Sequence, residues 1–307
     1  MEKAQPATLN RRRAQVRRWY SHLWREWTVE SRRQIRPAFA NPSPDTWSDS
    51  EITAAWLGHA TVLINFFGFI IITDPALFPR IGIRLPGFTV GPKRLTAAAL
   101  RVRDVPRVDL VLLSHAHFDH FDTRTLHRMP KTAEVIAAPR TLDLLRWMRF
   151  QRKTELRWGE HAVIKRPVGE LLIRAFPVKH WGARLLRDVS RGYNGYIIER
   201  NGRRIIVGGD TAFTDTFAAL RQRRPFDLAV MPIGAYDPWI RAHATPEQAV
   251  AMANAAGADY IMPVHHQTFR LSAEPFREPI ERFEAALQQT PERIALREVG
   301  ETFRLRR

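Results

Sequence analysis

Val108-Asp109-Leu110-Val111-Leu112-Leu113-Ser114-His115-Ala116-His117-Phe118-Asp119-His120 runs from a short apolar segment straight into three imidazoles and a carboxylate. The apolar part, Val108 to Leu113, reads as a buried strand. Three histidines and an aspartate within six residues are poor core groups, because burying them without partners costs several kcal/mol. A metal accounts both for the cluster and for its place directly after an apolar strand. His115 and His117 lie two apart, so an extended turn points them the same way, towards one ion. Asp119 and His120 sit one turn further on and reach a second ion. Imidazole nitrogen and carboxylate oxygen suit zinc at ~2.0–2.2 Å, and iron or manganese accepts the same donors.

Outward from this stretch the pattern repeats. Ile52 to Trp56, Thr61 to Phe66 and Phe69 to Thr73 read as strands, the last two joined as a hairpin at Phe67-Gly68. Glu134 to Ala138 reads as a strand, Leu171 to Val178 as a strand leading to His180, and Tyr196 to Arg200 with Arg204 to Val207 as a hairpin across Asn201-Gly202. That hairpin runs into Gly208-Gly209-Asp210, and a strand from Tyr260 to Val264 runs into His265; Asp227 to Pro232 is a further strand. Helices are expected over Thr141–Phe150, Phe217–Arg221, Pro246–Ala256 and Phe276–Gln288. Four strands thus end, on their C-terminal side, on a His or an Asp, where α/β proteins concentrate their chemistry.

His-x-His-x-Asp-His after a strand resembles the signature of the metallo-β-lactamase superfamily, and the later elements follow in order from about Ala54 to Phe303. The resemblance implies an α/β fold of αβ/βα sandwich type: two mixed sheets facing each other, helices outside, and metals at one edge between the sheets. It implies a first metal, expected to be Zn2+, on His115, His117 and His180. A second sits on Asp119, His120 and His265, with Asp210 bridging both. Two such ions lower the pKa of a bridging water towards neutrality and so provide a hydroxide nucleophile; Asp119 and Asp210 are the carboxylates expected to serve it. Trp56-Leu57-Gly58-His59-Ala60-Thr61, Thr73-Asp74-Pro75, Gly91-Pro92-Lys93-Arg94, His180-Trp181 and Pro232-Ile233-Gly234-Ala235-Tyr236 resemble the N-acylphosphatidylethanolamine phospholipase D branch. Related phosphodiesterases place a His-x-Thr histidine as proton donor or phosphate ligand, and His243 in His243-Ala244-Thr245 matches it. His59 is expected to be buried, either as a core group or bonded to a metal ligand. Lys93 and Arg94 are expected either to bind a substrate phosphate or to form a solvated loop.

Composition sets the outer limits. The 307 residues contain no cysteine, which excludes disulfides and thiolate metal sites. The formal charge is +17 and the pI near 11.2, a surface that attracts anionic lipid, nucleic acid or phosphorylated substrates. Residues 1–50 are expected to form a basic extension, with Val16, Trp19, Tyr20, Leu23, Trp24 and Trp27 at helical spacing and a Pro-rich linker from Asn41 to Asp45; residues 51–307 form the hydrolase domain. A basic helix with an aromatic face suits peripheral membrane contact through residues 9–36. The apolar run Val62 to Ile72 is too short to span a bilayer, so a cytoplasmic protein is expected. The reaction these features favour is hydrolysis of a phosphodiester, above all in a phospholipid-like substrate of the N-acylphosphatidylethanolamine type. A lactonase or carboxylic ester hydrolase uses the same metals and predicts a pocket without clustered basic side chains. A nuclease predicts salt-dependent nucleic-acid binding. A non-catalytic basic module that binds membrane or nucleic acid has no need of all seven ligands.

Overall fold

Side-chain alternation along the strands decides how the layers stack in the computed structural model, which describes residues 32–185, 188, 190–221 and 224–305. The first half of the chain supplies β1 (Ile52–Gly58), β2 (Thr61–Phe66), β3 (Phe69–Thr73), β4 (Ile83–Leu85), β5 (Phe88–Val90), β6 (Leu110–Leu113), β7 (Glu134–Ala137) and β8 (Arg152–Glu155). The second supplies β9 (His161–Arg166), β10 (Gly169–Phe176), β11 (Gly195–Arg200), β12 (Arg203–Val207), β13 (Phe226–Pro232), β14 (Ala258–Val264) and β15 (Thr302–Leu305). They form a seven-stranded sheet ordered β15-β1-β2-β3-β6-β7-β8, a six-stranded sheet ordered β14-β13-β12-β11-β10-β9, and a separate β4-β5 ribbon. Both large sheets are mixed: β3-β6-β7-β8 and β12-β13-β14 run parallel, and the other neighbours antiparallel.

The β11 to β14 part of the six-stranded sheet is largely buried on both faces, which explains its nearly continuous apolar runs. Ile198, Ile205, Leu228, Val230 and Met262 point to the core shared with the first sheet, where Leu110, Leu112, Ile64 and Ile72 also pack. Their sequence neighbours Ile197, Ile206, Ala229 and Ile261 point the other way. That face is covered by Ala249 and Ala253 of the helix Pro246–Ala256 and by Ile280 and Phe283 of the helix Glu278–Ala286. This is the two-sheet sandwich with outer helices expected from the sequence.

Local signals behave as their chemistry requires. Both hairpin turns place two residues at positive φ, Phe67 at 54° with Gly68 at 85° and Asn201 at 50° with Gly202 at 74°, matching the twist of the flanking strands. The Pro246–Ala256 helix starts with a reciprocal capping box between Thr245 and Gln248 and ends at Gly257 with φ 77°. The helix expected over Thr141–Phe150 is absent; only a 3-10 turn, Leu142–Leu145, forms. Glu155 accepts from the amides of Thr141 and Leu142, and bonds from Met148 to Leu145 and Phe150 to Met148 turn the chain directly into β8. The helices expected at Phe217–Arg221 and Phe276–Gln288 are Thr216–Ala219 and Glu278–Ala286.

The basic segment expected to be helical lies outside the described residues up to Ser31. From there the chain runs along the domain: Arg36 bridges to Thr96, Phe39 donates to the Val299 carbonyl, and Trp47 joins the inter-sheet core. Among the described residues no helix is long and apolar enough to cross a membrane.

Candidate metal centre

The two sheets are pinned together where β6 ends. Tyr196 of β11 donates its hydroxyl to the Leu113 carbonyl at 2.9 Å, the Asn194 amide bonds Ser114 at 2.9 Å, and His115 bridges Tyr193. Beyond this junction His115 to His120 turn tightly, with the amides of His120 and Phe121 both donating to the His117 carbonyl. The ends of β10, β12 and β14 bring His180, Asp210 and His265 to the same place. Gly209, at φ 59°, makes the turn that presents Asp210; a Cβ there would lie 2.7 Å from the Asn194 carbonyl oxygen.

All seven residues expected as ligands converge. His115, His117, His180 and Asp210 form one group, and Asp119, His120 and His265 form a second with His59; within each, the donor atoms lie within 4.8 Å of one another. Asp210 Oδ2 stands between them, 3.1 Å from the Nε2 of His120 and of His265, 3.8 Å from His180 Nε2 and 3.9 Å from His115 Nε2. One carboxylate oxygen therefore faces both groups.

Hydrogen bonds at the outer edges fix which ring nitrogens look inward. His180 Nδ1 donates to the Ala242 carbonyl at 3.0 Å, and His120 Nδ1 donates to Asp74 Oδ2 at 2.9 Å. Ser114 Oγ donates to Asp74 Oδ2 and so accepts from His115 Nδ1 at 2.9 Å. Each of these rings turns its Nε2 towards the cluster. His115 Nε2 and His180 Nε2 meet His117 Nδ1 at 2.8 and 3.3 Å; a single proton on His117 satisfies only one of them, whereas a cation satisfies all three. The buried Nε2 atoms of His120 and His265 and Oδ1 of Asp210 have no hydrogen-bond partner. The donor set fits divalent metal ions bound through nitrogen and oxygen.

The electrostatics agree. Burial holds His115 and His180 well below the usual imidazole range, and holds His117 down at about 4, so these rings are neutral and suited to accept a cation. Burial pushes the other way at Asp119 and Asp210, but the neighbouring histidines, His120 first, keep both carboxylates ionised well below their usual range. His120 is raised and His265 pushed up to about 9 because Asp210, together with Asp119, outweighs their desolvation. Protons on these two rings balance two buried carboxylates, and metal binding releases such protons.

His59 donates from Nε2 to Asp119 Oδ2 at 2.8 Å and is held neutral at about 3, chiefly by burial. It therefore bonds a carboxylate of the second group. His243 is also drawn in, with Nδ1 3.9 Å from Asp210 Oδ2 and no hydrogen-bond partner. Lys93 and Arg94 do not face the cluster as phosphate ligands. Lys93 donates to the Arg33 carbonyl at 2.5 Å, and buried Arg94 donates to the Phe78, Thr96 and Ala76 carbonyls.

Sequence reasoning assigned no role to Asp74. Its Oδ1 accepts from the Ser114 amide at 2.7 Å, while Oδ2 orients His120 and, through Ser114, His115. The available signal was Thr73-Asp74-Pro75 at the end of β3, the parallel neighbour of β6.

Comparison with known proteins agrees with this geometry. The sequence model of the beta-lactamase superfamily domain matches residues 73–266. An uncharacterized protein of Mycobacterium tuberculosis is 32% identical over 284 residues, covering 88% of this chain and 74% of its own. The N-acyl-phosphatidylethanolamine-hydrolyzing phospholipase D 1 of Caenorhabditis elegans is 33% identical over 252 residues, covering 76% of this chain and 69% of its own. In fold, the chain resembles the isothiocyanate hydrolase from Delia radicum gut bacteria at TM-score 0.64 and 19% identity, over 82% of this chain and 98% of the other. With the donor set and the family match in agreement, the chain belongs to the metallo-β-lactamase superfamily and is one of its metal-dependent hydrolases.

Proposed function

We propose that this chain is a dinuclear phosphodiesterase acting on a phospholipid-like substrate of the N-acylphosphatidylethanolamine type, with its hydrolase domain spanning residues 51–307. The observation that carries this reading is a collar of large apolar side chains on the loops that bear the ligands. Trp181, one residue after His180, is 42% exposed, and its ring centroid lies 4.7 Å from that of His117 and 4.4 Å from that of His180. Phe213 follows Asp210 by three residues, Trp239 and Ile240 precede His243, and all three are exposed. A cleft of about 470 Å³ beside His265 is lined by Trp239, Phe269, Leu271 and Phe276. Exposed apolar surface gathered at a charged site suits a ligand with a polar head and acyl chains. The 33% identical C. elegans relative, named for hydrolysis of such a lipid, supports the same reading.

His115, His117 and His180 would hold one ion and Asp119, His120 and His265 the other, with Asp210 shared; Zn2+ suits them best. Two bound divalent ions supply Lewis acidity and a water of near-neutral pKa. This chain's residues do the rest. Asp210 Oδ2 fixes the line between the two groups, and His59 and Asp74 hold Asp119 and His120 in place. His243 is kept near 4, mainly by burial, and so is neutral at physiological pH. A neutral imidazole donates a hydrogen bond to a phosphoryl oxygen better than it protonates a leaving alkoxide, so His243 acts as a phosphate ligand. The apolar collar excludes water and seats the acyl chains. Residues 9–36, basic and aromatic in sequence, are the proposed contact with an anionic membrane surface.

A second reading, hydrolysis of a lactone or carboxylic ester, has one observation in its favour. Among the described residues lining the cleft there is no cluster of lysines or arginines; Arg270 is the one such side chain. A panel of N-acylphosphatidylethanolamine in mixed micelles, bis(p-nitrophenyl) phosphate, lactones and p-nitrophenyl esters separates the two. The phosphodiesterase reading expects turnover of the first two at least tenfold above the others. Turnover confined to lactones and esters would overturn it.

A further inference from the structure

Arg184 stands four residues after His180, on the loop that follows β10, yet its bonds go to the other sheet. Its Nη1 donates to the Ala116 carbonyl at 2.7 Å and to the Phe121 carbonyl at 2.9 Å. These two carbonyls bracket His117, Asp119 and His120, three of the residues that converge at the centre. The guanidinium also stacks over Phe118, with its carbon 4.0 Å from the ring centroid, and lies 5.5 Å from that of Phe121. Burial lowers it only to about 10, so it is charged at neutral pH.

The turn closes from within through the His117 carbonyl, which accepts from His120 and Phe121. The Ala116 and Phe121 carbonyls accept from Arg184 instead, and a buried carbonyl without a donor costs about 1–3 kcal/mol. A planar cation that reaches both, clamped on an aromatic ring, holds the turn at one width. Because the cation grows from the His180 loop, it also sets the distance between a donor on the six-stranded sheet and three donors on the seven-stranded sheet.

We infer that Arg184 is a positioning residue that staples the His115–His120 turn to the His180 loop and thereby sets the affinity of the centre for its metals. The inference rests on the reading that these residues hold metal ions. Removing an outer partner of a metal site weakens binding about 10–100-fold, and that is the range expected for Arg184→Met. Lysine keeps the charge but not the planar face that stacks over Phe118, so Arg184→Lys falls between the two.

The test titrates Zn2+ against a chromophoric chelator for wild type, Arg184→Met and Arg184→Lys, with thermal unfolding of each metal-free protein alongside. The expected result is graded loss of zinc affinity, with the metal-free Tm of Arg184→Lys close to wild type. If Arg184→Met does not fold, Arg184→Lys and Phe118→Leu, which leaves the guanidinium without its aromatic clamp, carry the test through the same loss of affinity. Unchanged zinc affinity with a lowered Tm would assign Arg184 to folding alone and overturn the inference. Unchanged affinity with a raised KM would make it a substrate ligand and overturn it equally. Failure of wild type itself to bind zinc would instead strike the underlying metal reading.

Discussion

Asp74 shows how much of the centre depends on residues outside the donor set. Its carboxylate spends both oxygens on Ser114 and His120, and so fixes the tautomer of His120 and, through Ser114, that of His115. Asp74→Ala should weaken metal binding about 10–100-fold with the chain still folded, as read by chelator competition; unchanged affinity would remove Asp74 from this role. For His243 the expectation is a loss in kcat of about 10²–10³, the usual cost of one donor to a developing charge. The loss in His243→Ala should be equal for p-nitrophenyl and alkyl leaving groups. A deficit confined to alkyl leaving groups would make it a proton donor instead. The donors themselves were legible because each follows a strand directly. Asp74 was not, because its partner Ser114 is forty residues away and only the parallel pairing of β3 with β6 brings them together.

Among the elements, strands written as apolar runs were readable and charged edge strands were not. β6, β13 and β14 are apolar runs that match their expected ranges to within two residues. β8 and β9 each lie at one edge of their sheet and read Arg152-Lys153-Thr154-Glu155 and His161 to Arg166, alternately exposed. Edge strands carry charge to discourage further pairing, which erases the apolar signal. Thr141–Phe150 misled in the other direction. Leu142, Leu145 and Met148 have helical spacing, but Trp147 is 80% exposed and the chain must reach β8 at once. Turn chemistry is a firmer guide. Gly209→Ala puts a Cβ 2.7 Å from the Asn194 oxygen and 3.0 Å from Ser114 Cβ at φ 59°, so it should cost about 1–3 kcal/mol and displace Asp210. Urea unfolding and metal titration should both register the change; a neutral result in both would show that the turn has slack.

For the molecule as a whole, the centre couples stability to pH. In the metal-free protein burial holds His59 and His266 near 3 and His117 and His243 near 4, and keeps His115 and His180 well below the usual range. Below pH about 6.5 the unfolded chain takes up protons that these folded rings refuse, so stability falls as pH drops from about 6.5 towards 4. His265, raised to about 9, and His120, also raised, act oppositely. Their contribution is complete below about 6.5 and is lost as pH rises through their folded values. Metal-free protein should therefore be most resistant to urea near pH 6.5, and bound metal should raise resistance at neutral pH by mass action. A metal-free midpoint that rises steadily from pH 6.5 to 4 would contradict this balance. The same scale frames the proposed chemistry: the chain carries a formal charge of +17, and exposed Trp181 stands beside His117 and His180 of the cluster.

The most direct measurement of the central claim is metal content per chain, taken together with phosphodiester turnover, for wild type and Asp210→Ala. The account predicts about two ions in wild type, loss of at least one in Asp210→Ala because its Oδ2 faces both groups, and turnover reduced to background with it. Wild type that binds no metal after equilibration with zinc, or Asp210→Ala that keeps both ions and full turnover, would contradict the dinuclear centre.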